Sequence, residues 1–304
     1  MSGLIAVDAG QTGIRLRFIG PDGVLEHRTD GVLTDHPLLP QLASAITAFA
    51  SANALDDVAV GVGASGITVP DAAELLSLLG ELDVTRVALA HDATTSYLGA
   101  LGERPGVIIA AGTGVVTLAV GPRAVSRVDG WGCLLGDAGS AFWIGQAGLK
   151  AAMRAYDHRG EPTVLLERLE AEYGDPPLAY IELQGDPRWV SRVAGFASAV
   201  DAAAAAGDAV ADHIVSEAAA ELSESVVAAL REVALMSSEP PTICTLGGVF
   251  GSPRITQRFT SYLRLHWPSL ELTPSAGTGL DGAQATLSLD PSSPLAGLVS
   301  VAWK

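Results

Sequence analysis

The stretch Ile5-Ala-Val-Asp-Ala-Gly-Gln-Thr-Gly-Ile-Arg-Leu-Arg-Phe-Ile-Gly20 is an apolar run, a small-residue turn and a second apolar run that ends at glycine. The pattern returns in Val107-Ile-Ile-Ala-Ala-Gly-Thr-Gly-Val-Val-Thr-Leu-Ala-Val-Gly121. Runs rich in β-branched residues around a glycine turn predict two strands joined by a hairpin. Two such turns, each with a hydroxyl and free backbone N–H groups, are able to hold one polyphosphate from two sides. The repeat therefore predicts a two-lobed nucleotide enzyme.

Outward from the first hairpin, the pattern predicts three antiparallel strands and then alternating helices and strands, which gives a mixed sheet with helices on its faces. The predicted strands are Leu4–Asp8, Ile14–Ile19, Val24–Arg28, Val58–Val62, Val84–Ala90 and Thr242–Leu246. The predicted helices are 37–53, Asp71–Leu79, Asp92–Leu101, an Ala-rich region Ala194–Met236 broken at Gly207, and a last helix near Leu280–Leu289. We expect an N-terminal lobe over 1–115 and a C-terminal lobe with a helical insertion over 116–304. The last helix is a candidate to pack back on the N-terminal lobe.

Bulk composition narrows the class of protein. The 304 residues carry 34 acidic and 18 basic side chains, a net charge of −16, which argues against a nucleic-acid surface or an anionic membrane as partner. The two cysteines, Cys133 and Cys244, are too few for a zinc cluster or a disulfide framework. The N-terminus has no basic segment, and the apolar stretch at 107–120 is shorter than the roughly 20 residues of a membrane span. We therefore expect a cytoplasmic protein.

Two aspartates at strand ends are candidates for chemistry. Asp8 opens the first glycine turn, where it either holds Mg²⁺ through water beside the phosphates or only bonds its own backbone. Asp92 lies between a predicted strand and a helix, where it is either an N-cap or a general base at the ligand-binding end of the sheet. We expect Gln11, Thr12 and Gly13 to form one phosphate loop and Gly112 and Thr113 the other.

Two glycine-rich segments complete the candidates. The run Gly130-Trp-Gly-Cys-Leu-Leu-Gly-Asp-Ala-Gly-Ser-Ala-Phe-Trp-Ile-Gly145 is costly in backbone entropy unless it shapes a pocket. Within it, Asp137 is a pocket residue or a helix cap, and Trp131 is a sugar-stacking face or part of the core. Later, Thr245-Leu-Gly-Gly-Val-Phe250 is a strand followed by Gly247 and Gly248, which allow a flat adenine ring to approach closely.

Together these segments resemble the superfamily of sugar kinases, Hsp70 and actin, and within it the N-acetylglucosamine kinase and BadF/BadG-type ATPase family. The resemblance implies an α/β fold of two ribonuclease-H-like, actin-like ATPase lobes that close a cleft on a sugar and Mg²⁺·ATP, and a homodimer. It implies that Asp92 is the base for transfer to an amino-sugar hydroxyl, expected to be O6. Sugar contacts are expected from Asp137, Gly114, Asp35 and Trp131, with adenosine at Gly247 and Gly248.

Several positions differ from the family pattern. Ala9 and Gln11 replace glycines of the first turn, Val115 replaces a serine, and Ala138 replaces a glutamate. After the third strand, where the family has asparagine, this chain has Asp30, Thr34, Asp35 and His36. The added carboxylate suggests the hypothesis of a free amino sugar such as glucosamine in place of N-acetylglucosamine. Two alternatives stay open at this point: a sugar or nucleotide sensor without turnover, and an ATPase that activates a radical dehydratase.

Overall fold

The computed structural model describes residues 3–10, 12–21, 23–33 and 35–304, arranged as a mixed α/β protein with two sheets. The strands are β1 (Gly3–Gly10), β2 (Gly13–Gly20), β3 (Gly23–Thr29), β4 (Val58–Ala64), β5 (Val84–His91), β6 (Gly106–Ala111), β7 (Val115–Val120), β8 (Val125–Val128), β9 (Ile243–Leu246) and β10 (Val299–Trp303). The α-helices are α1 (Leu38–Ala52), α2 (Ala72–Leu78), α3 (Asp92–Leu101), α4 (Ala141–Tyr156), α5 (Leu165–Tyr173), α6 (Pro176–Gly185), α7 (Trp189–Gly195), α8 (Ala197–Ala205), α9 (Ala209–Glu232), α10 (Pro253–Arg264) and α11 (Gly279–Ala285).

The chain forms two compact units. Unit 1 holds the described residues up to Gly106 together with Val120–Val125 and Pro274–Lys304, and unit 2 holds Val107–Ala119 and Ser126–Thr273. The lobe boundary expected between residues 115 and 116 stays a prediction.

Unit 1 is built on the sheet with strand order β10-β5-β4-β1-β2-β3. Strands β1, β4 and β5 run parallel, whereas β2, β3 and β10 pair antiparallel with their neighbours. One face of the sheet packs against α1 and α2 over a core of aliphatic side chains such as Ile5, Val7 and Val60, which are fully buried. Leu4 and Ala6 of β1 lie on the opposite face, where they pack against Leu280 and Ala283.

That opposite face is covered by α3 and α11, which pack unusually close to each other and to β1. A Cβ atom at Gly282 of α11 would overlap the backbone carbonyl of Thr95 in α3. Glycine is therefore required at this crossing, and the close packing fixes the start of α3 and of α11 above the same strand ends.

Unit 2 is built on the sheet with strand order β8-β7-β6-β9, in which β6 and β9 run parallel. Helices α4 to α10 surround it and bury one continuous apolar core. Helix α9 contributes the longest buried stripe, in which Ala218, Leu222 and Val226 are completely inaccessible to solvent. Alanines of α8 and α9, such as Ala203 and Ala218, are buried in this core together with large aromatic side chains such as Phe196, Phe259 and Trp267.

Most predicted elements agree with the structure to within about two residues at each end, which is the usual disagreement between boundary assignments. The last helix was expected near Leu280–Leu289, and this extent is wrong. Helix α11 ends at Ala285, a short 3₁₀ turn follows over Thr286–Ser288, and strand β10 closes the first sheet.

No single helix among the described residues is long and apolar enough to cross a bilayer; only the bent pair Trp189–Ala205 and Ala209–Glu232, taken together, meets the length and composition of a span.

Candidate functional site

Two carboxylates of unit 1 belong to the same edge of its sheet. Asp8 lies on β1 in register with Gly63 of β4, and Asp92 begins α3 directly after β5. Open α/β sheets bind ligands at this carboxyl edge of their parallel strands. Burial raises the pKa of Asp8, against the lowering effect of its ion pair with Arg15, and the negative charge of Asp92 raises it further. Asp8 and Asp92 therefore share one electrostatic environment.

Asp92 was expected to be either a general base or the N-cap of the helix that it begins, and the structure contradicts the N-cap. The N-cap of α3 is His91, whose Nδ1 accepts the Ala93 N–H at 3.1 Å, so Asp92 is not the cap. His91 Nδ1 is also 2.7 Å from Asp92 Oδ1, yet that oxygen is buried and has no hydrogen-bond partner among the described residues. We resolve this by the bonding of the imidazole: a nitrogen that accepts a hydrogen bond carries no proton to donate. Asp92 Oδ1 is thus a buried acceptor that lacks a donor.

The first glycine turn, the predicted phosphate loop, borders an open polar pocket of about 790 Å³. Its lining residues are Thr12, His27, Arg28, Thr29, Asp30 and Gly31. Arg28 Nη2 donates to the Thr12 carbonyl at 3.1 Å, and Arg28 pairs in register with Arg15, which in turn pairs with Asp8. The hairpin register therefore concentrates positive charge beside the turn. The predicted phosphate-loop residue Gln11, and Thr34 of the following loop, lie outside the described residues.

Asp35, expected to contact the sugar, is an exposed residue in the structure. Its carboxylate is 2.8 Å from His36 Nδ1, and hydrogen bonding by His36 lowers the pKa of Asp35. The side chain of Asp35 is 78% exposed, and it is not among the residues that line the neighbouring pocket. Its role in substrate choice stays a hypothesis.

In unit 2 the glycine-rich loop is organised by an aspartate that precedes it. The Asp129 carboxylate accepts the backbone N–H groups of Gly130 and Asp137, both at 2.7 Å, and that of Ala138 at 2.9 Å. Asp137 itself has a positive φ of 59° and is only 9% exposed. Burial raises the pKa of Asp137, while the backbone N–H of Val115 lowers it. Asp137 is not a helix cap, because Ser140 caps α4 by accepting the Trp143 N–H.

The structure brings Asp137 and Gly114 together. A Cβ atom at Gly114 would lie 2.6 Å from Asp137 Oδ2 and 3.1 Å from its Cγ, so a side chain there would displace the carboxylate. Trp131 is 63% exposed and lies beside Arg127, whose guanidinium carbon is 5.5 Å from the ring centroid. Trp131 is therefore not core, whereas Trp143 packs against the core of the unit.

A cavity of about 690 Å³ lies at the carboxyl ends of β6 and β9. Gly112 and Thr113 of the second turn line it together with Gly248, and Gly247 packs directly against Ala111. The turn is held to the start of α4, because Gly112 and Thr113 carbonyls accept N–H groups from Ala141 and Phe142 at 2.9 and 3.1 Å. Gly112 and Thr113 of the predicted second phosphate loop and Gly248 of the predicted adenosine pair thus border one cavity, whereas Gly247 is not among its lining residues.

Four residues of these sites were missed from the sequence. Arg15 and Arg28 were missed although the tight first hairpin sets the register that brings them beside Asp8. Asp129 had a weaker signal, an aspartate directly before the glycine run. Asp201 lines the cavity of unit 2 from within the Ala-rich helices, where an isolated acidic residue looks like part of a solvated face.

The oxygen ligands of Asp8 suit Mg²⁺, the metal that the resemblance implies. Among the described residues, no three His, Cys, Asp or Glu side chains cluster as a protein-only metal cage. Mg²⁺ is commonly held by one or two carboxylates that act together with substrate phosphates, and it keeps several waters. The edge of the sheet that carries the carboxylates of Asp8 and Asp92 fits that mode, in which the substrate supplies the remaining ligands.

The two sheets and their helices define the class of protein as a mixed α/β nucleotide-binding fold, which confirms the fold class expected from the sequence. One structure with this fold is a candidate N-acetylglucosamine kinase from Chromobacterium violaceum, 24% identical, with a TM-score of 0.69 over 94% of this chain and 98% of that one. The chain belongs to the BadF/BadG/BcrA/BcrD ATPase family, whose model matches residues 41–269. The family resemblance is therefore confirmed.

Two curated relatives carry kinase names. The N-acetylmuramic acid/N-acetylglucosamine kinase of Clostridium acetobutylicum is 30% identical over 65% of this chain and 66% of its own length. The N-acetyl-D-glucosamine kinase of Dictyostelium discoideum is 28% identical over 60% of each chain. The chain thus matches slightly less than two thirds of the length of these relatives.

Proposed function

We propose that the protein is an ATP-dependent sugar kinase that phosphorylates a hydroxyl of an amino sugar, N-acetylglucosamine or glucosamine, at O6. The observation that carries the proposal is the position of the Asp92 carboxylate: Asp92 begins α3 at the ligand-binding edge of the first sheet, near Asp8, and about one third of its side chain is exposed (33%). Because His91 caps the helix, the exposed part of the Asp92 carboxylate is not committed to a backbone N–H and is able to accept the proton of a sugar hydroxyl. The kinase names of the two curated relatives support the same reaction.

In the proposed reaction, Asp92 accepts the proton of the sugar hydroxyl as its oxygen forms a bond to the γ-phosphorus of ATP. The bond between that phosphorus and the β–γ bridging oxygen breaks, and ADP leaves with the electron pair. Such transfers depend chiefly on positioning and on stabilising negative charge. When Mg²⁺ is bound with ATP, it neutralises the phosphate oxygens, and Asp8 would hold it, directly or through water.

The remaining residues bind and orient. Gly112 and Thr113 would hold phosphates at the mouth of the unit 2 cavity, with adenosine beside Gly247 and Gly248. Thr12 and Gly13 would hold phosphate at the first turn, where Arg28 adds positive charge. Asp137 would accept sugar hydroxyls, because Asp129 fixes its backbone and Gly114 leaves room for its carboxylate.

The decisive experiment measures sugar-dependent ADP release with Mg²⁺·ATP and a panel of hexoses, amino sugars and N-acetylmuramic acid. We expect turnover with N-acetylglucosamine or glucosamine, and a fall of kcat by a factor of at least about 100 in Asp92→Asn, the range typical of a general base. A matched control is Asp71→Asn, which replaces the N-cap of α2 by another good capping residue and should keep full activity.

Other outcomes separate the alternatives. Nucleotide binding without turnover on any sugar would replace the kinase by a sensor, and full activity of Asp92→Asn would remove the general base. The activator ATPase is not favoured by the cysteines, since Cys244 is fully buried within β9 and is unsuited to a cluster shared between subunits. Phosphorylation at O6 is checked by the position of the new phosphate in the product.

A further inference from the structure

The nucleotide cavity of unit 2 contains one ionisable side chain among its described lining residues, Asp201 on α8. The rest of the wall is small, apolar or hydroxylic, and includes Gly112, Thr113, Ala197, Ser198, Val249 and Ile255. A carboxylate in such a wall needs hydrogen-bond donors, because an unpaired charge is costly away from water.

The position of the Asp201 carboxylate is preset by the end of another helix. Ser252 Oγ donates to Asp201 Oδ1 at 2.6 Å and accepts the Ile255 N–H at 3.2 Å, which makes Ser252 the N-cap of α10. No ion pair to Asp201 occurs within the ranges that the structure describes. One carboxylate oxygen is thus fixed by protein, and the other has no cation to neutralise it.

The charge of Asp201 decides which part of a nucleotide it faces. A carboxylate repels phosphate, so it belongs to the nucleoside and not to the phosphates proposed at Gly112 and Thr113. Adjacent ribose hydroxyls are two neighbouring donors, and a carboxylate is the group that commonly accepts them in nucleotide sites. Ser198 lies one turn before Asp201, on the same face of the helix, and also lines the cavity. The apolar wall formed by Ala197, Val249 and Ile255 suits the base.

We propose that Asp201, held by Ser252, binds the 2′- and 3′-hydroxyls of the nucleotide ribose and selects ribonucleotides over deoxyribonucleotides. The inference rests on the proposed nucleotide site of the kinase and adds to it a residue that determines specificity. Asp201 acts through direct hydrogen bonds to the ribose, and Ser252 is the residue that positions it.

The test is equilibrium binding of ADP, 2′-deoxy-ADP, 3′-deoxy-ADP and the inosine analogue IDP to the full chain by calorimetry. We expect the unaltered protein to bind ADP about tenfold or more tightly than either deoxy nucleotide, as a hydrogen bond to a charged group warrants. In Asp201→Ala and Asp201→Asn, ADP should lose about that factor while the deoxy nucleotides stay within about twofold. The control Asp175→Asn alters an exposed carboxylate whose side chain caps nothing and should bind as the unaltered protein does.

Each other result overturns the inference in a recognisable way. If Asp201→Ala keeps the full preference for ADP over the deoxy nucleotides, Asp201 does not bind the ribose. If the variants lose discrimination between ADP and IDP instead, Asp201 reads the amino group of the base. If ADP binds and sugar-dependent turnover is present, either of these results overturns the ribose contact alone. If the unaltered protein binds no adenine nucleotide, the nucleotide site itself is overturned.

Discussion

At the scale of single residues, the pair His91 and Asp92 shows how a cap determines chemistry. An aspartate at the start of a helix normally accepts a hydrogen bond from a backbone N–H. That hydrogen bond stabilises the charged carboxylate and makes it a weaker base. Here His91 Nδ1 takes the capping role for Ala93, and Asp92 Oδ1 is left as a buried acceptor. The imidazole therefore has two contacts: it caps α3 through Ala93 N–H, and its Nδ1 lies 2.7 Å from Asp92 Oδ1, which restricts the position of the carboxylate.

These two roles of His91 can be separated by substitution. His91→Ala should lower the free energy of unfolding by about 1 kcal/mol through the lost cap, whereas His91→Asn keeps a capping oxygen and should restore the stability. If the imidazole positions Asp92, kcat should fall about tenfold in both variants, which is about 1.4 kcal/mol of activation free energy, with the KM for ATP unchanged. Urea unfolding and steady-state kinetics measure the two effects. Wild-type kcat in His91→Asn would contradict the positioning role.

The residues that could be predicted from the sequence are those tied to short-range patterns. Asp8, Gly112 and Thr113 follow from strand ends and glycine turns, and they occur where expected on β1 and after β6. Arg28 and Asp201 belong to strand pairing and helix packing, which bring together residues far apart in the chain. Spacing within one segment carries no signal for such pairs.

At the scale of elements, α9 illustrates a helix start fixed by a distant segment. The Asp208 carboxylate caps α9 through Ala211 N–H at 2.9 Å and also accepts Val164 N–H and Thr163 Oγ1 at 2.8 Å. Although partial burial raises the pKa of Asp208, these hydrogen bonds outweigh it and lower the pKa below its ordinary value. One side chain thus joins the start of α5 to the start of α9.

Asp208→Ala should lower the free energy of unfolding of the protein by about 1–2 kcal/mol at neutral pH, the range of a lost N-cap. Because the folded-state pKa of Asp208 is lowered, its charge stabilises the fold above the unfolded pKa of about 3.9, and that contribution is lost as the pH falls through the folded value. Urea unfolding from pH 7 to pH 3 should show the difference shrink below about pH 4. Asp208→Asn keeps a capping oxygen without a charge, so it should lose less unfolding free energy and show no such pH dependence. If Asp208→Ala lowers the unfolding free energy equally at pH 7 and pH 3, the charge effect is contradicted.

Several elements with regular apolar periodicity were predicted, but α10 was missed although Ile255, Phe259 and Leu263 are buried at helical spacing, and elements whose pattern depends on tertiary contacts were missed as well. Strand β10 lies at the sheet edge and pairs with β5 across more than two hundred residues of sequence, so its short run carried no local signal. Helices α5 to α7 are short and have few buried positions, such as Leu169 and Val193, so periodicity over so few residues is weak. The end of α11 at Ala285 is set by packing against α3, which the sequence does not show.

At the scale of the whole molecule, each compact unit has a core of its own. The aliphatic core of unit 1 centres on residues such as Ile5 and Leu42, and that of unit 2 on residues such as Leu222 and Phe259. All of the described residues that line the proposed adenosine cavity belong to unit 2. A ligand that carries the nucleoside but not the terminal phosphates should therefore stabilise one unit selectively.

AMP is that ligand, and hydrogen exchange is the measurement. Saturating AMP should slow amide exchange in the segments 112–114, 191–202 and 247–255, which line or flank the cavity, and leave β1 to β3 unchanged. At a hundredfold excess over its Kd, binding stabilises the folded state by about 2.7 kcal/mol, so the slowing should reach about a hundredfold where exchange requires opening of the bound region. Asp201→Ala should reduce this protection at equal AMP concentration. Slowed exchange centred on the first hairpin, with the cavity segments unaffected, would place the nucleoside in unit 1 and contradict the assignment. Because each unit has its own core, AMP slows exchange only in the unit that must open for AMP to be released.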